Sequence, residues 1–447
     1  MNRSTTVELT LTGPIRTVLW KLSAPNVISN VLITLVTVFD AWFIGQLGTT
    51  ALASLALVFP FQMLMQMFGN GALGGGIASA LSRALGARQQ AQADAVAWHA
   101  LLLGGAMSLI FMLILGVFAR PIFSFLGGTG ESLDGAVAYA QIAFGAASAS
   151  WLFFAMFAVC RGSGDMKAPA IALTISTAAH ITLSGCLTLG VGPFPQLGVT
   201  GPAIALVICQ GGAGLALLIH AWRGGLAVTF RAQRVRWAPL AAILRVGALS
   251  MVNSITIVFA VVVVTGVIGQ YGTQALGGYG LGARLELMLV PIAFGIGGAL
   301  TTAVGVNMGA GQHERARTIA LVGASIALAA ISPVGIALAI WPSFWLGWFT
   351  NDAAAFAVGA QYLAVVGPFY GVFVAGQTLY FASQGTGQMR LPVLVGVIRF
   401  VVVCVVGLIT LELGLNVIGV FVGVSLGMLT VGLGMWLSTH SPAWRSP

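Results

Sequence analysis

Apolar stretches of membrane-spanning length alternate with short polar breaks along the whole chain. About 20 consecutive apolar residues in a helix cross the hydrocarbon core of a bilayer, and the pattern predicts twelve such spans. Their predicted bounds are 15–43, 51–79, 94–119, 133–159, 168–191, 199–222, 242–269, 274–303, 317–340, 354–382, 392–412 and 416–438. The breaks carry turn-forming residues such as Gly127-Gly128 and Gly272. The chain is therefore predicted to be an all-α polytopic membrane protein.

Composition agrees with a membrane protein. Only 6% of the 447 residues are charged and 58% are hydrophobic, whereas soluble domains carry about 25% charged residues. The net charge of +9 does not indicate nucleic-acid binding, because the basic residues stand singly or in twos and threes between apolar runs. The four cysteines are widely spaced and form no CxxC pair, so neither a metal site nor a disulfide framework is predicted. The N-terminus shows no removable signal peptide.

The positive residues also predict an orientation. Most of the 19 Lys and Arg residues lie in alternate loops, which are cytoplasmic under the positive-inside rule. Both termini are then cytoplasmic, and the most basic loop separates two sets of six spans. The predicted organisation is an N-terminus over 1–14, a first lobe over 15–222, a cytoplasmic linker over 223–241, a second lobe over 242–439 and a C-terminus over 440–447.

The two sets of six spans are related by an internal repeat. Residues 44–52 recur at 268–276, a shift of 224, and residues 162–169 recur at 385–392, a shift of 223. Because each set has an even number of spans, the two lobes share one orientation and are pseudo-symmetric about an axis along the membrane normal. Such repeats are typical of transporters, whose substrate path lies between them. A duplicated channel or scaffold is the alternative.

The first span carries a polar stripe that ends in a carboxylate. At about 100° per residue, Asn26, Asn30, Thr34, Thr37 and Asp40 fall within one arc of about 140°. A helix that lines an aqueous cavity needs such a stripe, whereas a lipid-facing helix does not. A carboxylate within a membrane segment is costly and marks a functional site by default. Asp40 is therefore the leading candidate, with local capping near the membrane edge as the alternative.

The second span presents Gln62, Gln66 and Asn70 on one face, because they are four residues apart. The shift of 224 puts Glu286, in the eighth span, at the position of Gln62. Glu286 is predicted to handle cations or protons, or alternatively to form an interhelical ion pair. Arg284 lies about 200° away on the same helix and cannot pair with it there. The three amides and Arg284 are predicted to line a substrate cavity.

The fifth span places Ser176, His180 and Ser184 on one face. Histidine can gain or lose a proton near neutral pH, so His180 is a candidate for proton handling, and a satisfied hydrogen-bonding role is the alternative. The two serines are predicted to line the cavity. Arg399, about two turns from the cytoplasmic end of the eleventh span, is predicted to extend to water.

Several classes of enzyme and pump are not indicated. The sequence has no HExxH zinc motif, no GxSxG nucleophile elbow and no GxxxxGK[ST] phosphate-binding loop. The single chain is therefore not expected to be an ATP-driven pump, and no enzymatic activity is predicted.

The motifs resemble those of the multidrug and toxic compound extrusion (MATE) transporters. The likeness lies in the run from Pro25 through Asp40 and in residues 44–48, 82–87, 161–165, 197–201 and 304–310, and it covers nearly the whole chain. The resemblance implies a MATE-like fold of twelve helices in two six-helix lobes, and cation-coupled antiport of organic cations and other amphiphiles.

Within that family the chain resembles the DinF-like branch most. There, the acid that matches Asp40 is a proposed proton or sodium site, and a proline that matches Pro25 lets the helix bend. Some members carry Asn and Asp four residues apart on helix five, where this chain has His180 and Ser184. The acids that sodium-coupled NorM-like members carry on helices seven and ten are absent, and helix seven offers Asn253, a further cavity candidate. These departures favour protons as the coupling ion, and a sodium ion near Asp40 is the alternative.

Together these features predict an inner-membrane secondary antiporter that exports small organic, cationic or amphipathic compounds in exchange for protons or sodium by alternating access. Its expected partners are these small molecules and the lipid bilayer, without nucleic acid or a cofactor, and we expect a monomer. One alternative is a lipid-linked oligosaccharide flippase of the same superfamily, which would have a more cationic cavity. The other is a non-transporting membrane scaffold, which would need no buried acid.

Overall fold

The computed structural model describes residues 3–350 and 352–445, except for the side chains of residues 3–6, 29, 33, 34, 287 and 290. No strand occurs within these described ranges. Eleven of their helical stretches are long and apolar enough to cross a membrane. A helix pair bent by 51°, Gly130–Ala143 and Ala147–Gly162, makes a twelfth if it is counted as one span. The prediction of an all-α, twelve-span membrane fold is confirmed.

The helices follow the predicted spans, and π-helical segments interrupt or end some of them. The first half contains α1 (Arg3–Thr12), α2 (Ile15–Gly45), α3 (Thr49–Gln66), α4 (Gly74–Gly86), α5 (Gln90–Phe111), α6 (Ala119–Phe125), α7 (Gly130–Ala143), α8 (Ala147–Gly162), α9 (Lys167–Leu189) and α10 (Gly201–His220). The second half contains α11 (Trp237–Gly269), α12 (Thr273–Gly309), α13 (His313–Ile340), α14 (Ser343–Leu346), α15 (Ala353–Val366), α16 (Tyr370–Thr386), α17 (Arg390–Glu412) and α18 (Ile418–Ser438). The π-helical segments are Met67–Leu73, Met112–Val117 and Ala221–Gly225.

The internal repeat extends to the conformation of the backbone. Gly48 and Gly272 precede α3 and α12 with φ of 109° and 103°, and Gly164 and Gly387 have φ of 80° and 78°. Glycine adopts such conformations without the steric penalty that a Cβ brings. Each pair is separated by 224 or 223 residues, the shifts found in the sequence. The two halves therefore share their turn geometry as well as their helices.

The halves differ in the span that carries Gln62 or Glu286. In the first half this span is interrupted between α3 and α4 by the π-helical segment Met67–Leu73, whereas α12 is continuous from Thr273 to Gly309. Helix α1 was not predicted, because its sequence is short and mixed in polarity. Helix α2 continues through Pro25, and bending at this proline stays a prediction.

Contacts within the chain divide it into two compact units. One comprises Met1–Leu9 and Ile28–Gly247, and the other comprises Thr10–Val27 and Ala248–Pro447. This division differs from the predicted lobe boundaries at the first long helix of each half. The start of α2 belongs by its contacts to the second unit, and the start of α11 belongs to the first.

Close packing holds the start of α2 within the second unit. Asn26 is 2% exposed, and its Nδ2 donates to the carbonyl oxygen of Gly295 at 2.7 Å. A Cβ on Gly295 would lie 2.5 Å from the Cα of Val27, so this glycine lets α12 approach the backbone of α2. Just before α2, Arg315 donates to the carbonyl oxygens of Thr10 and Gly13.

Candidate functional site

Three polar side chains meet in the first unit, between the end of α2 and α9. His180 Nε2 lies 3.0 Å from both carboxylate oxygens of Asp40, and Ser184 Oγ donates to Asp40 Oδ1 at 2.6 Å. The exposed fractions are 6% for Asp40, 3% for His180 and 0% for Ser184. The sequence predicted a role for each of these residues, and the structure brings the three side chains into contact.

The spacing along α9 explains how two residues reach one carboxylate. His180 and Ser184 are four residues apart, so their side chains project from the same face one turn apart. Asp40 is the last member of the polar stripe on α2. A buried carboxylate keeps its charge at lower cost when it accepts hydrogen bonds. The group can take up a proton on the carboxylate or on the second ring nitrogen of His180.

A tyrosine pairs with the second span in the same way in both units. Tyr139 in α7 donates to Oε1 of Gln62 at 3.4 Å, and Tyr362 in α15 donates to the carboxylate of Glu286. The repeat relates the members of these pairs, by 223 residues for the tyrosines and by 224 for their partners. Tyr139 also interacts electrostatically with Asp40. Both halves therefore have the pairing, with the amide of Gln62 as the partner in the first half and the carboxylate of Glu286 in the second.

Helix α17 adds a guanidinium near the Glu286 pair in the second unit. Arg399 interacts electrostatically with Glu286, and its Cζ lies 5.2 Å from the ring centroid of Phe373. Its Nε is buried and has no hydrogen-bond partner among the described residues. Tyr279 packs edge-on against Tyr362, with ring centroids 5.4 Å apart. The side chain of Arg399 is half-buried among these groups, and the prediction that it extends to water stays a prediction.

The remaining members of the α2 stripe are spread over different environments. Asn30 is buried and accepts a long hydrogen bond of 3.5 Å from Asn70 Nδ2. Thr37 is exposed, and the side chain of Thr34 lies outside the described residues. Asn26 lies in the second unit, bonded to the backbone of α12 as described above. Asp40 links this stripe to α9 through its hydrogen bonds with His180 and Ser184.

Asn70 lies inside the π-helical segment between α3 and α4. Its carbonyl oxygen accepts a hydrogen bond of 3.1 Å from the guanidinium of Arg161, whose Cζ lies 5.1 Å from the ring centroid of Phe157. Segments of this type frequently occur at functional sites. Gln66, at the end of α3, is half-buried.

Three further predicted cavity residues lie apart from both groups. Ser176 donates to the carbonyl oxygen of Cys209 at 3.0 Å and so links α9 to α10. Asn253 is buried, and its Oδ1 lies 2.1 Å from where a Cβ on Gly396 would be. Arg284 is exposed, with its Cζ 5.9 Å from the ring centroid of Phe349. As its spacing predicted, Arg284 faces a different side of α12 from Glu286.

Sequence reasoning missed the tyrosines. The chain has only 6 tyrosines, and Tyr139, Tyr279 and Tyr362 all contact or lie beside the candidate acids. A signal was available, since Tyr139 and Tyr362 are related by the same shift of 223 as the glycine motifs. A hydroxyl that recurs at equivalent positions in two apolar spans indicates a retained hydrogen bond.

Comparison with known proteins identifies the family. The MatE family model matches residues 25–184 and 250–409, one segment in each half of the repeat. The chain belongs to the MATE family. Its membership confirms the resemblance drawn from the motifs and makes the chain a multi-pass membrane transporter. The DinF-like branch stays a prediction.

Individual MATE relatives match over most of their length. The FAD transporter of Shewanella oneidensis is 28% identical over 379 residues, which cover 83% of this chain and 82% of that protein. The probable multidrug resistance protein YoeA of Bacillus subtilis is 24% identical over 407 residues, or 89% and 88% of the two chains. A solved structure of a MOP superfamily transporter from Pyrococcus furiosus matches with a TM-score of 0.89 at 22% identity, covering 97% and 96%. This last likeness concerns the fold alone.

Proposed function

We propose that this MATE transporter is a proton-coupled secondary antiporter that exports small organic, cationic or amphipathic compounds across the inner membrane, with both termini in the cytoplasm. The observation that carries the proposal is the buried Asp40 carboxylate, hydrogen-bonded to His180 and Ser184 within membrane-spanning helices. A packed fold alone does not require a titratable group there.

Exchange would arise from competition for the charge of this group. When Asp40 is ionised, its negative charge favours a cationic compound in the same lobe, and when the group takes up a proton that attraction is lost. Proton entry on one side and drug entry on the other would then drive net export. One proton contributes about 2.3 kcal/mol per 100 mV of membrane potential and about 1.36 kcal/mol per pH unit. These amounts are sufficient for concentrative export.

The ligand set around Asp40 supports a proton over sodium. Hard cations prefer shells of oxygen ligands. Here His180 Nε2 lies within hydrogen-bonding distance of both carboxylate oxygens, so an imidazole nitrogen occupies a place where a sodium site would need oxygen. The same imidazole is well suited to sharing a proton with a carboxylate.

Glu286 is proposed as a second titratable site that acts with Tyr362. Its half-buried carboxylate accepts the tyrosine hydroxyl and senses the positive charge of Arg399. Asp40 is the more deeply buried of the two acids, at 6% exposed, and a buried acid within a membrane segment marks a functional site by default. We therefore assign the main coupling role to Asp40, and to Glu286 a supporting role in substrate or proton binding.

A second candidate substrate class is flavin-type dinucleotides. One relative, 28% identical, is named an FAD transporter. In the second unit, the half-buried guanidinium of Arg399 lies beside several aromatic rings, and its Nε is without a hydrogen-bond partner among the described residues. Arginine binds phosphates and also stacks on flat rings. This combination fits an anionic aromatic compound better than the acidic group in the first unit does.

Efflux from cells and proteoliposomes tests the coupling. We expect Asp40→Asn to abolish export of a cationic dye, whereas Asp134→Asn should leave export intact. Asp134 is the matched control because it is an exposed acid paired with Arg120. Undiminished export by a well-expressed Asp40→Asn variant would refute the role of Asp40.

The ion and the substrate require separate measurements. Replacing sodium by choline at fixed pH should leave export unchanged, and collapsing the pH gradient and the membrane potential together should stop it. Dependence on sodium would overturn the assignment of protons. In a parallel assay, export of FAD that is lost in Arg399→Gln but retained in Arg284→Gln would favour the dinucleotide class.

A further inference from the structure

A cavity at the end of α10 lies outside both groups of candidate transport residues. It has a volume of about 330 Å³ and is lined by Ala216, Ile219, His220, Arg223, Gly224 and Gly225. Cavities of this size hold small ligands or ligand head groups. It is built entirely from residues of the first unit.

The glycines make room for the cavity at the point where the chain leaves the helix. Gly224 has φ of 80°, a conformation that favours glycine. A Cβ on Gly225 would lie 2.4 Å from Nε2 of His220, so the backbone passes directly against the imidazole. The same ring nitrogen of His220 lies 3.2 Å from Oδ2 of Asp165. The wall formed by His220 is therefore fixed in position.

The electrostatic character of the cavity is positive. Arg223 is exposed, and none of the described carboxylates forms an ion pair with it. The nearby carboxylate of Asp165 is already engaged, since it accepts hydrogen bonds from His220 and from the backbone at the start of α9. The segment that follows carries three more exposed arginines, Arg231, Arg234 and Arg236, and no acid. The full charge of Arg223, which lines the cavity, exceeds the partial negative charge, roughly half an elementary charge, at a helix C-terminus.

An apolar stripe on α10 leads to this cavity. Ile208, Leu215 and Ile219 lie within one arc of about 40° on the helix, and their exposed fractions are 55%, 53% and 44%. Trp222, in the π-helical segment that follows α10, is 65% exposed. On a membrane-spanning helix, such a stripe faces acyl chains. Tryptophan is enriched at the level of the lipid head groups. Trp222 next to Arg223 therefore marks the point where the stripe meets the interface.

We propose that this cavity binds the phosphate-bearing head group of an anionic phospholipid, with Arg223 contacting the phosphate and the α10 stripe contacting the acyl chains. The cavity, its fixed His220 wall, its positive surroundings and the continuous apolar stripe all fit this one ligand. The basic loop adds attraction for the negatively charged cytoplasmic leaflet. The site is independent of the transport groups, and only its place at the cytoplasmic leaflet rests on the proposed orientation.

Lipid binding to the purified full-length transporter tests this proposal. Native mass spectrometry would compare phosphatidylglycerol with phosphatidylcholine of the same acyl chains. We expect the wild type to retain phosphatidylglycerol more strongly, and Arg223→Gln to lower its apparent affinity on the order of fivefold, as expected for loss of one arginine contact with an anionic lipid. Arg223→Lys should retain part of this affinity.

Arg231→Gln is the matched control, because it removes the same charge from the same loop but does not line the cavity. We expect it to change lipid affinity far less than Arg223→Gln does. Equal effects of the two variants would show general attraction by the basic loop and would overturn the assigned site. Equal retention of the two lipids would do so as well. Displacement of phosphatidylglycerol by millimolar inorganic phosphate would identify a free-anion site in place of a lipid site.

Discussion

Replacing Ser184 by alanine tests the Asp40 group with the smallest change that the structure offers. The substitution removes one of the two side-chain partners of the carboxylate and leaves His180 in place. Ser184 Oγ lies 2.6 Å from Asp40 Oδ1, and Ser184 is 0% exposed, so bulk water does not replace the lost donor. The ionised form of Asp40 loses more than the protonated form, because hydrogen bonds to a charge are stronger.

The size of the effect follows from that difference. A hydrogen bond to a charged group contributes about 1.5–3 kcal/mol, and about 1.4 kcal/mol changes a dissociation constant tenfold. Loss of the donor disfavours the ionised carboxylate, which is the form that attracts a cationic compound. We therefore expect Ser184→Ala to weaken the binding of a cationic dye by about 10- to 100-fold.

Equilibrium binding of the dye to the purified protein measures this change, with Asp40→Asn as the variant that lacks the negative charge. Ser176→Ala is the control, since Ser176 lies on the same face of α9 but donates to the carbonyl oxygen of Cys209. An unchanged affinity in Ser184→Ala would refute the reasoning. An equal loss of affinity in Ser176→Ala would attribute the effect to the helix and not to the hydrogen bond.

Three further predictions concern stability, each measured by unfolding of the purified protein in detergent. Gly295→Ala should lower the free energy of unfolding by about 1–3 kcal/mol through overpacking against the α2 backbone. Gly105→Ala should not lower it, because a Cβ at Gly105 would have no neighbour within 4 Å. Equal effects of the two substitutions would contradict the close approach of α12 to α2. Arg88 has φ of 57°, so Arg88→Gly should be about 1 kcal/mol more stable than Arg88→Ala, and an equal or lower stability would contradict the strain. Tyr362→Phe should cost about 1–3 kcal/mol by removing the donor to Glu286, and Glu286→Gln in the same chain should recover part of that loss.

The sequence predicted the membrane spans because the bilayer imposes a strong local rule. Backbone groups in lipid must be satisfied within one segment, so a span is a long apolar helix wherever it occurs. The sequence also revealed the repeat, because turn glycines such as Gly48 and Gly272 recur at a constant shift. Helix α1 was not predicted, because nothing in the sequence of Arg3–Thr12 distinguishes it from a loop. The π-helical segment Met67–Leu73 was not predicted, because a change of hydrogen-bonding register leaves the apolar pattern of the sequence intact.

The candidate site was only partly predictable. A helical wheel gives the face on which a residue lies, but it does not say which faces meet. Asp40 and His180 are separated by 140 residues, and only the packing of α2 against α9 joins them. For the same reason, the distance of Arg399 from the helix end said nothing about Glu286 or Phe373 nearby.

The second half of the duplicated fold can be compared with the Asp40 group position by position. The repeat places Val264, Val403 and Gly407 at the positions of Asp40 and its two partners in α9. The two valines are each 4% exposed, and a Cβ on Gly407 would lie 4.0 Å from Cγ1 of Val267, so the described side chains at this level of α11 and α17 are apolar. Since the second half has apolar residues at these three positions, packing at this level does not require a polar group in the first half. The buried acid and its two partners therefore support the role in proton coupling proposed for this group.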